Sequence, residues 1–596
     1  MKKRKLLLAL GIAGITTIAL ASCSKGGTDV YSADASGNVI KIGKSEITFK
    51  ENSEIPYLNL ADGVQLMSLI RTNNLDNEKY KYSVKKEDND FVISNETGAK
   101  CSISTTNQTL AYDDYDKFVS LVPDKQEALS LVPIRSGSKA LKQSSGKYTK
   151  GQSVTMDLKK YSKLDVYTKD NKCYIPLSVF NSALLTASEN ASLAYNGKNL
   201  FMIVGDSLKT EGLLGKTPSA LGYKFRENSQ KESITKDYLD YYYQSLCFDF
   251  DYQYGLKDKF ESFDDFLKDH YKNEMLSTNP KTIDNYTAIA LSYLNDGHTT
   301  LTDFSNLYEF NDNKIDRSKA NPIKCKWEED DEAFTETKTL AGIKNGIEYK
   351  GDTVFVQFEQ FTVMNEDFLY SKKKDNKDSL DDFGNPGLDF DILKNNSIKE
   401  NDTCYMLSKL YKDLTTDQTK KNQVKNIVID LTTNAGGATD ALLYSLNTLI
   451  GTVTIDITNP LTGASNHQSY KADINTDGVI DANDKSLSEL GFNIYFLNSK
   501  YSFSSANAMP YLAKLNKPNV VNLGDKTAGG PCPIKYMVTP IGSVYISSSL
   551  NTLSKLKDGK YVNIDDGIPA DFTLTESQMI NRDYIVANIN NWTLNK

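Results

Sequence analysis

Apolar and polar positions follow three different rhythms along this chain. Residues 36–205 carry short apolar runs of β spacing broken by turns. Cys173, Tyr174, Ile175, Pro176 and Leu177 lead into a helical stretch through Leu185. Residues 192–195, the turn pair Asn196-Gly197 and residues 200–204 predict a hairpin. Residues 206–300 change to helical spacing: Tyr238, Leu239, Tyr242, Leu246 and Phe250, then Phe263, Phe266 and Leu267, then Ile283, Tyr286, Ile289, Ala290, Tyr293 and Leu294. Three or more helices are expected there. Beyond a polar stretch at 302–350, apolar strands are expected at 353–358, 426–431, 492–498, 519–524 and 543–549, separated by helical runs such as 440–450 and 506–515. Apolar strands alternating with helices imply crossover connections and a largely parallel sheet. The expected fold class is an α/β domain at 301–596, mostly parallel sheet with crossover helices. A helical subdomain (206–300) and an N-terminal α+β domain (36–205) precede it.

The first 22 residues read as a targeting segment and are left out of the fold. Lys2, Lys3, Arg4 and Lys5 precede an apolar run at 6–20, too short for a comfortable membrane span. The run ends in Leu20-Ala21-Ser22-Cys23, which resembles a bacterial lipoprotein signal. The resemblance implies cleavage before Cys23 and a diacylglyceryl group on its thiol. Two or three acyl chains, at ~0.8 kcal/mol per buried methylene, make a stable anchor. Residues 23–35 would then be a polar tether, and the chain an exported, membrane-anchored lipoprotein. Six further cysteines (101, 173, 247, 325, 404 and 532) have wide spacings without a CxxC, so neither pairing nor metal binding can be read from them. Residues 173–204 also resemble, over a short stretch, the stalk modules related to the N-terminal domain of copper amine oxidases. No copper ligands come with that likeness.

Composition narrows the function. With 596 residues, the length alone suggests about four domains. Hydrophobic residues at 39% and charged residues at 24% exclude a disordered polar chain and a multispanning membrane protein. Sixty-nine basic against 77 acidic residues, with no long basic run, make nucleic acid a poor partner. Only His270, His298 and His467 are present, so a zinc site built on several His has little to draw on. His270 falls on an apolar helical stripe, where a core or helix-end role is expected.

Ligands of an open α/β sheet bind at the carboxyl ends of its strands. After 426–431 comes Thr432-Thr433-Asn434-Ala435-Gly436-Gly437; after 492–498 comes Ser499-Lys500-Tyr501-Ser502-Phe503-Ser504-Ser505-Ala506-Asn507; after 519–524 comes Asp525-Lys526-Thr527-Ala528-Gly529-Gly530. Gly436 and Gly437 let backbone N–H groups approach a ligand, with a helix N-terminus behind them. A serine at such a turn needs a base. His298, in Leu294-Asn295-Asp296-Gly297-His298-Thr299-Thr300, follows a predicted helix whose C-cap is expected at Gly297.

In order, LNDGHTTL, NIVIDLTTNAGG, SFSSAN, VVNLGDKTAGG and DDGIPAD resemble the motif series of the serine peptidases that include the C-terminal processing (tail-specific) proteases and the tricorn core protease. The resemblance spans about 230–590 and implies a peptide or protein substrate. It implies Ser504 as nucleophile, with Ser505 the adjacent alternative. His298 would be the general base of a DGHT-type subgroup, and Gly436, Gly437 and Ser505 would supply oxyanion N–H groups. An acid before the G-I-P-A-D element would orient the base, Asp565 ahead of Asp566. Processing proteases of this family use Lys in the stretch where this chain has Gly530, so Ser-His chemistry is favoured over Ser-Lys. Asn507 stands in place of the usual Glu. About 50 residues before the sheet are too few for a peptide-binding PDZ module. No organic cofactor is expected.

An insertion at 466–490 holds a second motif. Asp473, Asn475, Asp477, Asp481 and Asp484 occupy positions 1, 3, 5, 9 and 12 of a loop with Gly478 at 6 and the Val479 carbonyl at 7. This resembles a dockerin-type EF-hand loop and implies a structural Ca2+, with Ser486, Leu487 and Leu490 starting an exiting helix. The alternative to catalysis is an inactive peptide- or ligand-binding lipoprotein on the same fold.

Overall fold

The computed structural model describes residues 27–34, 37–74, 80–120, 140–204, 220–227, 233–303, 322–362, 402–557 and 560–593. The expected targeting segment and Cys23 lie outside the described residues.

The N-terminal part is built from three small sheets of four, five and four strands. The expected hairpin forms, with Ala191 opposite Val204 and Tyr195 opposite Leu200. Asn196 N–H closes its loop on Asn199 O at 3.2 Å. The stretch after Pro176 is helical from Leu177 to Glu189, with a π segment at Phe180–Leu185. One strand of this part, Leu141–Thr149, pairs instead with Ser465–Ala472 of the insertion. Sequence periodicity cannot see that partnership, because pairing is set by register across 300 residues of chain.

The helical spacing at 206–300 resolves into five helices among the described residues, the longest being α1 (Lys236–Gln253) and α2 (Pro280–Ser292). Asn279 caps α2 through its side chain, with Pro280 in the first turn. At the exit, Asn295 takes the left-handed conformation (φ 49°), not the expected Gly297. His270 sits at a helix end, its Nδ1 2.6 Å from Phe266 O and its ring stacked on Phe266.

The central sheet has six strands in the order β1 (Gly346–Lys350), β2 (Thr353–Gln357), β3 (Asn426–Asp430), β4 (Asn493–Asn498), β5 (Val521–Gly524) and β6 (Phe572–Thr573). β1 is antiparallel; the rest run parallel. The reason is visible residue by residue. Along β2–β4, Val354, Val356, Ile427, Ile429, Ile494 and Phe496 enter one core. Phe355, Val428, Tyr495 and Leu497 enter the core on the opposite face. Each such side chain contributes about 1.5–3 kcal/mol by leaving water. Only helices on both faces can bury a strand of that kind. Two of them are α3 (Thr439–Ile450) and α4 (Ser505–Asn516).

The expected strand at 543–549 is a correction. Val544–Ser548 lies in a separate antiparallel three-stranded sheet with Thr300–Asp303 and Ile534–Val538. This displacement has a use: it anchors the residues just after His298, with Thr300 opposite Ile546. Among the described residues no helix is long and apolar enough to cross a membrane.

Candidate active site

The register of the parallel strands brings three turns level. Asp430 stands opposite Leu497, and Leu497 and Asn498 stand opposite Leu523 and Gly524. The turns after β3, β4 and β5 therefore emerge side by side. They are stitched together by backbone bonds: Phe503 N–H to Asn434 O (3.1 Å), Ser504 N–H to Gly529 O (2.9 Å) and Ala528 N–H to Ser502 O (2.9 Å).

The serines of the β4–α4 turn separate by what their hydroxyls do. Ser499 Oγ donates to Thr432 O, Ser502 Oγ to Leu431 O and Ser505 Oγ to Gly437 O at 2.8 Å. Ser504 Oγ makes no hydrogen bond among the described residues. Ser504 also holds φ 56° and ψ −117° immediately before α4. For a residue with a Cβ this region costs about 1–3 kcal/mol, and such strain persists only where the surroundings over-determine it.

The Gly pair touches this turn. A Cβ at Gly436 would lie 2.6 Å from Ser504 Cβ and 3.0 Å from Ser505 N, and one at Gly437 would lie 2.3 Å from Phe361 O. Gly436 N–H is taken by Asn434 Oδ1 at 2.8 Å. Among the described residues neither Gly437 N–H nor Ser505 N–H has a partner. Two donors thus stand beside Ser504 at the positive end of α4. Asn434 was missed from sequence, although an Asn two residues before a Gly is a common backbone-bonding turn.

His298 is buried and packs on Phe503, with ring centroids 4.7 Å apart. A Cβ at Gly530 would fall 2.7 Å from the Phe503 ring and 3.1 Å from His298 Cε1. The imidazole therefore uses the space a side chain at 530 would need. Gly297 makes room in the same way, its absent Cβ lying 2.5 Å from Phe503. The turn is held by Asp296, whose Oδ1 accepts His298 N–H (2.9 Å) while Oδ2 accepts Thr299 Oγ1 (2.6 Å) and the Tyr254 hydroxyl (3.0 Å). No hydrogen bond joins Ser504 Oγ to His298.

Asp565 borders the Gly529-Gly530 turn. Its Oδ2 pairs with Lys259 Nζ at 3.1 Å and its Oδ1 receives Gly530 N–H at 3.4 Å. Burial pushes its carboxyl up, Lys259 opposes that shift and the nearby Asp296 charge adds to it. Asn507, in the place of the expected Glu, ties the loops: its Oδ1 accepts Thr527 Oγ1 (2.6 Å) and its Nδ2 reaches Ile564 O (3.2 Å). Below the Gly turn, Asp430 pairs with Lys338 (3.2 Å) and Arg582 (2.7 Å), all buried. Burial alone would raise the Asp430 carboxyl. The Lys338 and Arg582 charges overcome it and hold the group well below the ordinary carboxylate range.

Elsewhere, Cys101, Cys173, Cys247, Cys404 and Cys532 are all buried. The Cys325 side chain lies outside the described residues. The loop Asp473–Asp484 leaves a strand rather than a helix, and Ser486, Leu487 and Leu490 form a turn, not the expected exiting helix. Ser486 and Glu489 still cap one another, with Ser486 N–H to Glu489 Oε2 at 2.8 Å. Leu487 and Ser488 N–H groups donate to Thr448 O and Leu449 O at the end of α3 (both 2.9 Å).

Residues 393–544 match the model of peptidase family S41. That span includes Gly436, Gly437, Ser504 and Ser505 and leaves out His298 and Asp565. No curated protein matches the chain. Similar solved structures include a photosystem II D1 C-terminal processing protease (14% identity, TM-score 0.26, 39% of this chain and 46% of that one). A lipoprotein from Streptococcus agalactiae is similar at 14% identity and TM-score 0.29, over 58% of this chain and 93% of that one. Mature CPAF is similar at 14% identity and TM-score 0.25, over 40% of this chain and 52% of that one. The chain thus spans about half the length of the first and third. It is the segment from 393 to 544, with the β3 to β5 turns and the Ser504 turn inside it, that matches peptidase family S41.

Proposed function

We propose that the chain is an exported, lipid-anchored serine endopeptidase that hydrolyses peptide bonds through an acyl-enzyme. The observation that carries the reading is Ser504: a strained, unbonded hydroxyl before α4, beside the Gly437 and Ser505 N–H donors. Ser504 Oγ attacks the scissile carbonyl. His298 takes the hydroxyl proton and returns it to the leaving amine. The oxygen that becomes negative is received by the two N–H groups, each worth roughly 10²–10³ in turnover. Water then attacks the ester, with His298 again as base, and releases the acid. Asp565 supports the charge that develops on this side of the site. Lys2–Lys5, the apolar run at 6–20 and Cys23 support export and anchoring.

Hydrolysis of a mixed peptide library tests the reading. Wild type is expected to release new amino termini, and Ser504→Ala and His298→Ala to lose that activity. A wild-type activity unchanged by either substitution overturns it. Acyl incorporation lost in Cys23→Ser tests the anchor.

A second reading, a non-catalytic peptide binder, draws on Asp565, whose oxygens go to Lys259 and Gly530. It expects peptide capture without cleavage, equal in wild type and Ser504→Ala.

A further inference from the structure

The loop Asp473–Asp484 belongs to none of this chemistry. It leaves the strand Ser465–Ala472 and returns before β4. Its backbone is wound around its own side chains. Gly478 N–H donates to Asp473 Oδ2 (2.9 Å), Asp477 N–H to Asn475 Oδ1 (2.9 Å) and Val479 N–H to Asp477 Oδ1 (2.9 Å). Asp484 folds back on the loop start: its Oδ1 accepts Ile474 N–H (2.7 Å) and Asn475 N–H (3.2 Å), and its Oδ2 accepts Asp481 N–H (2.8 Å). Positions 1 and 12 are thereby brought to one end of the loop, with Gly478 at φ 92° making the sharp bend.

The second observation is at Asp473. The residue is 1% exposed, and its Oδ1 has no hydrogen-bond partner while Oδ2 of the same carboxylate points across the loop to Gly478. A buried carboxylate oxygen without a donor is costly. Among the described residues none of the four aspartates pairs with Lys or Arg. A cation that takes oxygen ligands would satisfy the Asp473 carboxylate.

We propose that residues 473–484 bind one hard divalent cation of the Ca2+ class, through Asp473, Asn475, Asp477, the Val479 carbonyl, Asp481 and Asp484, and that the ion clamps the insertion to the catalytic domain. Among the described residues no three His, Cys, Asp or Glu side chains stand together at metal-holding distance, so binding turns carboxylates from loop N–H groups toward the ion. The clamp follows from what the loop touches. Asp473 N–H donates to Ala140 O (2.9 Å), next to the N-terminal strand Leu141–Thr149. Leu487 and Ser488 N–H groups satisfy Thr448 O and Leu449 O (both 2.9 Å), the last carbonyls of α3, the helix that follows Gly437.

Calorimetric titration of Ca2+ into the chelator-treated full chain tests this, with thermal melts alongside. One ion per chain is expected, with Kd of about 10⁻³ M or tighter and a Tm that rises with Ca2+. Asp477→Ala, at an exposed position, and Asp473→Asn are each expected to weaken binding about tenfold or more. Asp477→Ala keeps the test valid if Asp473→Asn does not fold. Ser504→Ala is expected to bind Ca2+ as wild type does, so this inference and the peptidase reading fail separately. No saturable binding at millimolar Ca2+, or binding unchanged in the folded variants, overturns the proposal.

Discussion

Two glycine pairs follow strands of the same sheet and owe their presence to different needs. Gly436-Gly437, after β3, lies against backbone and serine: Cβ atoms there would sit 2.6 Å from Ser504 Cβ and 2.3 Å from Phe361 O. Its contribution is close approach and a free N–H. Gly529-Gly530, after β5, gives one carbonyl to Ser504 N–H and leaves a gap that Phe503 and His298 fill. Its contribution is volume. The same dipeptide at equivalent places in one topology thus supplies donors in one case and room in the other. The second case also has a steric consequence: a lysine at 530 and the His298 imidazole would compete for one space.

The sharpest break of the comparison comes from the groups that the two pairs serve. Ser504→Ala or His298→Ala is expected to lower turnover by roughly 10⁴-fold or more, measured on any peptide the wild type cleaves. Gly437→Ala comes next, since relief of the clash at Phe361 O moves the donor; a loss of about 10²–10³ in kcat is expected. Gly530→Ala should cost about 10²-fold, by displacing His298 rather than removing a donor. If Gly530→Ala left kcat intact, the gap would not be what holds the imidazole.

Stability effects are smaller and separate from chemistry. Asp430→Asn strands Lys338 and Arg582 beneath the Gly436 turn and is expected to cost about 3–5 kcal/mol in denaturant unfolding. The Asp430 carboxyl is depressed in the fold, so its contribution is present above the ordinary value of 3.8. It is lost only as pH falls below that toward the folded value, and the difference between variant and wild type should shrink there. Ser504→Gly, by releasing the positive φ, should unfold up to about 1 kcal/mol less readily than Ser504→Ala, with neither active.

Much of the sheet was legible because burial on two faces leaves an unbroken apolar run. The strands expected at 353–358, 426–431 and 492–498 match β2, β3 and β4 within a residue or two. The strand expected at 543–549 exists, but periodicity could not tell that it pairs with Thr300–Asp303 and Ile534–Val538 instead of joining the parallel sheet. The serine turn was legible as a cluster. That Ser504 alone keeps its hydroxyl free depends on carbonyls of the neighbouring turn, which one segment cannot reveal. The link of His298 to the site runs through Phe503, Gly297 and Gly530, three residues far apart in sequence. Asp296 and Tyr254, which hold the His298 turn, carry no local signal beyond the acid itself.

An activated Ser504 should be the residue that an electrophilic probe finds. Reaction of the full chain with a fluorophosphonate, followed by mass mapping of the adduct, tests it most directly. The account predicts one adduct per chain on Ser504, lost in Ser504→Ala and strongly slowed in His298→Ala. An adduct on Ser505, or none in a preparation that cleaves peptides, would contradict it.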